Sequence, residues 1–135
     1  MTPVFVDSSY FKALLDENDD FHKKALDIFA DLTQQKEQLI TTNYILNETL
    51  TLLRAKVNLE AAFKLRDFLN AGSPILTIYR VTSEDDVNAW SWFSKDWSKL
   101  SFTDCVSFAV MKRLEIARVA TFDKHFTQAG FTIVS

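Results

Sequence analysis

Short apolar runs and longer amphipathic stretches alternate along this chain. Val4-Phe5-Val6 is the first apolar run and ends at Asp7, which predicts a short strand. Ser8 and Ser9 then offer N-cap hydroxyls to a helix carrying Tyr10, Phe11, Leu14 and Leu15. After the polar turn Glu17-Asn18-Asp19-Asp20, Phe21, Ala25, Ile28 and Leu32 fall at i, i+4, i+7 and i+11, one face of a second helix. Leu39-Ile40-Thr41 predicts a second strand, followed by helices over residues 43–56 and from Asn58 onward. That fourth helix meets Ala71-Gly72-Ser73-Pro74, a Gly-then-Pro stop. Ile75-Leu76-Thr77-Ile78-Tyr79 predicts a third strand, and helical segments over 84–97 and 103–114 follow. Arg118-Val119-Ala120-Thr121-Phe122 predicts a fourth strand and Phe131-Thr132-Ile133-Val134 a fifth.

Strands separated by helical stretches imply right-handed crossovers and a mainly parallel sheet covered on both faces, an α/β fold. No internal repeat or low-complexity segment interrupts the pattern. The two helices between the third and fourth strands require one of them to be short or to run obliquely.

Composition supports this picture. A chain of 135 residues, 47% hydrophobic with 12 Phe, fits one domain over 1–135 with a sizeable core of its own. Two Gly and two Pro leave little material for flexible linkers. The single cysteine, Cys105, forms no internal disulfide and suits a reducing compartment. No apolar run approaches the roughly 18 to 20 residues needed to span a bilayer. The start, Met1-Thr2-Pro3-Val4-Phe5-Val6-Asp7, lacks the pattern of a signal peptide, so a cytoplasmic protein is expected. A formal net charge of -3 argues against bulk electrostatic grip on nucleic acid, but not against an enzyme that acts on it.

The acids change the picture more. In open parallel sheets, ligands gather at the carboxyl ends of the strands. Asp7 follows strand one, Asp123 follows strand four, Glu48 lies early in the helix after strand two, and Asp104 opens the helix leading into strand four. All four are therefore expected at one sheet edge. Asp7 and Asp123 also suit helix caps, and Ser101-Phe102-Thr103-Asp104 matches a capping box. Glu48 fits no cap and borders apolar Ile45, Leu46, Leu50, Leu52 and Leu53, so it needs a counter-charge or a metal. Carboxylates crowded at one edge repel unless Mg²⁺ or Mn²⁺ lies among them, and such a site suits phosphodiester hydrolysis. No Ser–His or Cys–His arrangement competes. His22 and His125 have no metal-ligand spacing and are expected in surface or capping roles.

Val4-Phe5-Val6-Asp7-Ser8-Ser9, Asn47-Glu48 within a helix, Thr103-Asp104 opening one, and Thr121-Phe122-Asp123-Lys124-His125-Phe126 together resemble the PIN domain, closest to its VapC-like toxin branch. The resemblance covers nearly the whole chain. It implies a three-layer α/β/α fold and a Mg²⁺- or Mn²⁺-dependent ribonuclease with Asp7, Glu48, Asp104 and Asp123 as metal-binding acids. It also implies that Ser9 and Thr121 orient a ligand or water, that the chain forms a homodimer, and that a small antitoxin covers the acidic groove. His125 stands where the family often has a further acid.

The competing reading is a degenerate PIN-like module that binds RNA or protein without cutting. A receiver-like phosphoacceptor domain fits poorly, because Asp7 stands alone after strand one. Trp90, Phe93 and Trp97 share a helical face suited to core or a dimer interface, while an exposed Trp92 is the sharper candidate for stacking on RNA. Cys105 reads as a small buried residue, and Lys112, Arg113, Lys124, Arg54 and Lys56 as solvated or phosphate-facing cations.

Overall fold

The structure is a computed structural model, and it describes residues 3–71 and 75–135. Strand β1 (Val4–Val6) leads into α1 (Ser8–Leu15) and α2 (His22–Gln34), and β2 (Leu39–Thr42) into α3 (Asn43–Lys56) and α4 (Leu59–Asn70). Then come β3 (Leu76–Tyr79), α5 (Ser83–Phe93), α6 (Phe102–Arg113), β4 (Arg118–Ala120), α7 (His125–Gln128) and β5 (Thr132–Ile133). Every strand pair is parallel, in the order β3-β2-β1-β4-β5. The expected mainly parallel sheet is thus parallel throughout its described pairs.

That order locates the site. From β1 the chain steps outward through β2 to β3, then returns to the far side of β1 for β4 and β5. Right-handed crossovers in opposite directions place their helices on opposite faces, giving three layers. The reversal leaves a crevice at the carboxyl ends of β1 and β4, the switch point where open α/β sheets bind ligands. β1 is buried on both faces, with Val4, Phe5 and Val6 at most 1% exposed, as a central parallel strand requires.

Side chains set the helix starts. Thr42 accepts from the Ile45 amide to open α3, and the Asn58 side chain accepts from the Ala61 amide to open α4. Thr82 with Asp85, and Ser101 with Asp104, form complete capping boxes at α5 and α6. From Asp104 to Met111 every residue of α6 is buried, so this helix lies within the core. Beyond it Phe108, Phe126 and Phe131 pack together, with the first two edge-to-face at 5.0 Å.

Some expected boundaries move. α1 begins at Ser8 with Asp7 at the N-cap position, so Ser8 and Ser9 lie inside the first turn and their hydroxyls are free for other partners. β4 stops at Ala120, which releases Thr121 and Phe122 from the ladder. α5 ends at Phe93 instead of continuing to about residue 97. Trp97 then lies beyond the helix and packs on Trp92 at 6.4 Å, off the face shared by Trp90 and Phe93. Neither α5 nor α6 is unusually short. They are clamped together by a two-point ion pair between buried Asp85 and Arg113, at 2.8 and 2.9 Å. The expected Gly72-Ser73-Pro74 stop lies outside the described residues.

Candidate metal centre

Asp7 sits at the carboxyl end of β1 and is 1% exposed. Its side chain makes no capping bond to α1, so the simplest alternative to a functional role falls away. Instead Oδ2 accepts hydrogen bonds from Thr121 Oγ1 at 2.7 Å and Ser9 Oγ at 2.8 Å. Those hydroxyls lie 3.0 Å apart. Oδ1 is buried with no partner. Burial pushes the carboxyl's pKa up, the Thr121 and Ser9 hydroxyls oppose it, and the Asp123 charge adds to the rise.

Asp104 enters from the first turn of α6. Its capping box with Ser101 fixes its direction, so the cap and the site are compatible uses of one residue. Burial, followed by the charges of Asp7 and Asp123, lifts its pKa to about 7. Asp123 follows β4 and accepts the His125 amide on Oδ1 at 2.9 Å, a tight turn that opens α7. The position next to β1 that brings Asp123 to Asp7 is set by the β1–β4 pairing, Val6 against Ala120.

Glu48 approaches from α3, half-buried on the side of the helix that meets α1. Oε1 accepts the Ser8 hydroxyl. Glu48 thus reaches the residue that follows Asp7, though its carboxylate is not among the clustered donor atoms of Asp104, Asp123 and His125, and it has no ion-pair partner among those the structure gives. The apolar face it borders is narrower than the sequence indicates, since Ile45, Thr49 and Leu53 are buried but Leu50 is 37% exposed.

One residue was misplaced by spacing alone. His125 lies within the acids, its Nδ1 2.9 Å from Asp123 Oδ1 and 3.8 Å from Asp104 Oδ2. Donor atoms of Asp104, Asp123 and His125 all fall within 4.8 Å of one another. Burial disfavours the charged imidazole, but the Ser98 carbonyl and the carboxylates of Asp123 and Asp104 together raise its pKa. The signal was present in the sequence: His125 replaces an acid of the family pattern, two residues beyond Asp123.

The donor set suits a hard divalent cation. Carboxylate oxygens predominate, and the orphaned Asp7 oxygen is what such a cation would satisfy. Other candidates resolve differently. Trp92 packs on Phe108 at 5.3 Å, and the exposed tryptophan is Trp90, at 59%. Cys105 is fully buried and its thiol is pushed up to about 11, chiefly by burial, which leaves it inert. Arg113 is held by Asp85, Lys112 lies over the Phe131 ring, and Lys124 is exposed beside the site.

Known proteins share this sequence pattern and fold. A family model described as PIN domain matches residues 4–132. The chain is 33% identical over 132 residues to the 23S rRNA-specific endonuclease VapC20 of two Mycobacterium tuberculosis strains, CDC 1551 / Oshkosh and H37Rv, covering 97% of both chains. The crystal structure of M. tuberculosis VapC20, a sarcin-ricin loop cleaving toxin, superposes with a TM-score of 0.85 at 31% identity over 96% of each chain. FitAcB from Neisseria gonorrhoeae shares the fold at 14% identity and a TM-score of 0.69, covering 98% of this chain and 96% of that one. VapBC-1 from nontypeable Haemophilus influenzae does so at 12% and 0.68, covering 99% and 98%.

Proposed function

Since this chain belongs to the PIN domain family, we propose that it is a metal-dependent endoribonuclease acting as the toxin of a toxin–antitoxin pair. One observation carries the chemistry. Asp7, Asp104 and Asp123 are far apart in sequence, yet the Asp123 charge acts on Asp7 and both act on Asp104 at one sheet edge, and the buried Asp7 Oδ1 has no partner.

We assign metal binding to Asp7, Glu48, Asp104 and Asp123, with Mg²⁺ or Mn²⁺ as the cation. Bound there, a divalent cation supplies Lewis acidity and offsets charge developing on a phosphodiester. The work of the chain's own residues is preorganisation. Ser9 and Thr121 occupy Asp7 Oδ2 and so aim Oδ1. Ser8 fixes one oxygen of Glu48, and the α6 capping box fixes Asp104. Each carboxylate thereby presents a defined oxygen before any ligand arrives.

The substrate we propose is structured RNA, with ribosomal RNA the first to test because the similarity to VapC20 spans 97% of both chains. The partners are a small antitoxin and a second copy of the chain. Val87, Trp90 and Phe93, 68%, 59% and 40% exposed on α5, offer an apolar face for contact.

Purified protein with Mn²⁺ or Mg²⁺ should cut 23S rRNA at a discrete position mapped by primer extension. Asp7→Asn should lower that rate by ~100-fold or more while leaving the circular dichroism spectrum unchanged. Undiminished cutting by folded Asp7→Asn rules out the assigned site. Metal-independent RNA binding without cutting by the wild-type chain would favour the degenerate binding module.

A further inference from the structure

His125 is constrained at both ring nitrogens, in different ways. Nε2 lies 2.8 Å from the Ser98 carbonyl oxygen. A carbonyl only accepts, so Nε2 carries the hydrogen. Nδ1 faces the opposite way, 2.9 Å from Asp123 Oδ1 and 3.8 Å from Asp104 Oδ2. It is buried, and it is not aligned for a hydrogen bond with either. A neutral ring in this tautomer directs a lone pair at carboxylate oxygens, an arrangement that a shared cation relieves. Anchoring one ring N–H on a backbone carbonyl is also how ligating histidines are oriented.

The spacing fits a common ion. Ligands ~2.1 Å from an octahedral centre lie about 3.0 Å apart when adjacent and about 4.2 Å apart when opposed. His125 Nδ1 lies 2.9 Å from Asp123 Oδ1 and 3.8 Å from Asp104 Oδ2, near those separations, and the donors of the three residues all fall within 4.8 Å of one another. A separate chain segment adds an unsatisfied oxygen nearby: Asp7 is 1% exposed, its Oδ1 is orphaned, and its charge acts on Asp104.

We infer that His125 Nδ1 is a nitrogen ligand to the divalent cation of this site, and that it biases the site toward Mn²⁺ over Mg²⁺. Resting on the acid-site reading above, the inference adds a ligand to it and narrows its cation. Carboxylate and water ligands suit Mg²⁺, whereas imidazole nitrogen suits first-row transition ions. Replacing an acid by histidine in an otherwise oxygen set therefore tilts selectivity without abolishing binding.

The test uses the full chain, Mn²⁺ and Mg²⁺ titrated separately by calorimetry, and pulsed electron paramagnetic resonance of bound Mn²⁺. Nitrogen coupling is expected in the wild type and absent in His125→Asp and His125→Gln. The chain has two histidines, and His22 is engaged elsewhere, its Nδ1 2.8 Å from the Ala13 carbonyl. His22→Gln should accordingly keep the signal. His125→Asp, which restores an oxygen donor, should lower the Mn²⁺-to-Mg²⁺ affinity ratio about tenfold. Bound Mn²⁺ with no nitrogen coupling in the wild type, or an unchanged ratio in folded His125→Asp, overturns the inference and leaves the acid site standing. Failure of the wild type to bind either ion, or full binding by Asp7→Asn, overturns the acid site as well.

Discussion

Single residues here serve two purposes at once. Asp104 caps α6 and also joins the acids, and its capping box is what aims it. The cost appears in its ionisation. An acid whose pKa is raised to about 7 in the fold, against an ordinary value near 3.9, binds more protons folded than unfolded between those values. Asp104's contribution to the stability of the chelated protein should therefore fall as pH rises from about 4 to 7, and level off above. Asp7 and His125, both raised, act in the same direction. Asp104→Asn should stabilise the chelated protein at pH 7.5 by on the order of a few kcal/mol and by little at pH 4. Denaturant unfolding at the two pH values checks this, and equal effects would contradict it. The acids were legible in the sequence because strand ends and helix starts locate them. Ligand spacing does not place His125, because its neighbours in space, Asp104 and Ser98, are remote in sequence; only its position in the motif does. A hydroxyl at a helix start is usually a cap, whereas here those of Ser8 and Ser9 reach Glu48, Asp7 and the Phe122 amide.

At the scale of elements, apolar periodicity served well wherever one face was buried. α3 over residues 43–56 is of this kind, with Ile45, Thr49 and Leu53 buried. It failed at α5, whose exposed side carries Val87, Trp90 and Phe93. Aromatic residues beyond Phe93 continue the periodicity on paper, although the chain has already left the helix there. What holds α5 is polar. Asp85 is fully buried, and its pKa is lowered because the Arg113 and Thr82 contacts outweigh burial. Arg113→Ala strands that carboxylate and should cost about 3 kcal/mol in thermal or denaturant unfolding. Asp85→Ala/Arg113→Ala should cost less than the sum of the single changes. Strict additivity would show that the pair is not coupled.

On the scale of the molecule, the stability lost to crowded acids should return when the site fills. A ligand at 100 times its dissociation constant stabilises by about 2.7 kcal/mol. Saturating Mn²⁺ should raise the melting temperature at pH 7.5, raise it less at pH 5 where protons compete, and leave Asp7→Asn nearly unmoved. Differential scanning calorimetry with and without chelator reads this directly. A shift in Asp7→Asn equal to the wild type would mean that the ion binds elsewhere.

The β1–β4 pairing has a consequence in time as well as space. Asp7 and the Thr121 hydroxyl that holds it are 114 residues apart in the chain. Every shorter fragment ending before β4 has a first strand with one edge bare and an aspartate without its Thr121 hydroxyl. During synthesis the first three strands and their helices emerge well before the last acid. The acids therefore cannot all meet until the last strands dock against β1, so the site is completed only at the end of synthesis.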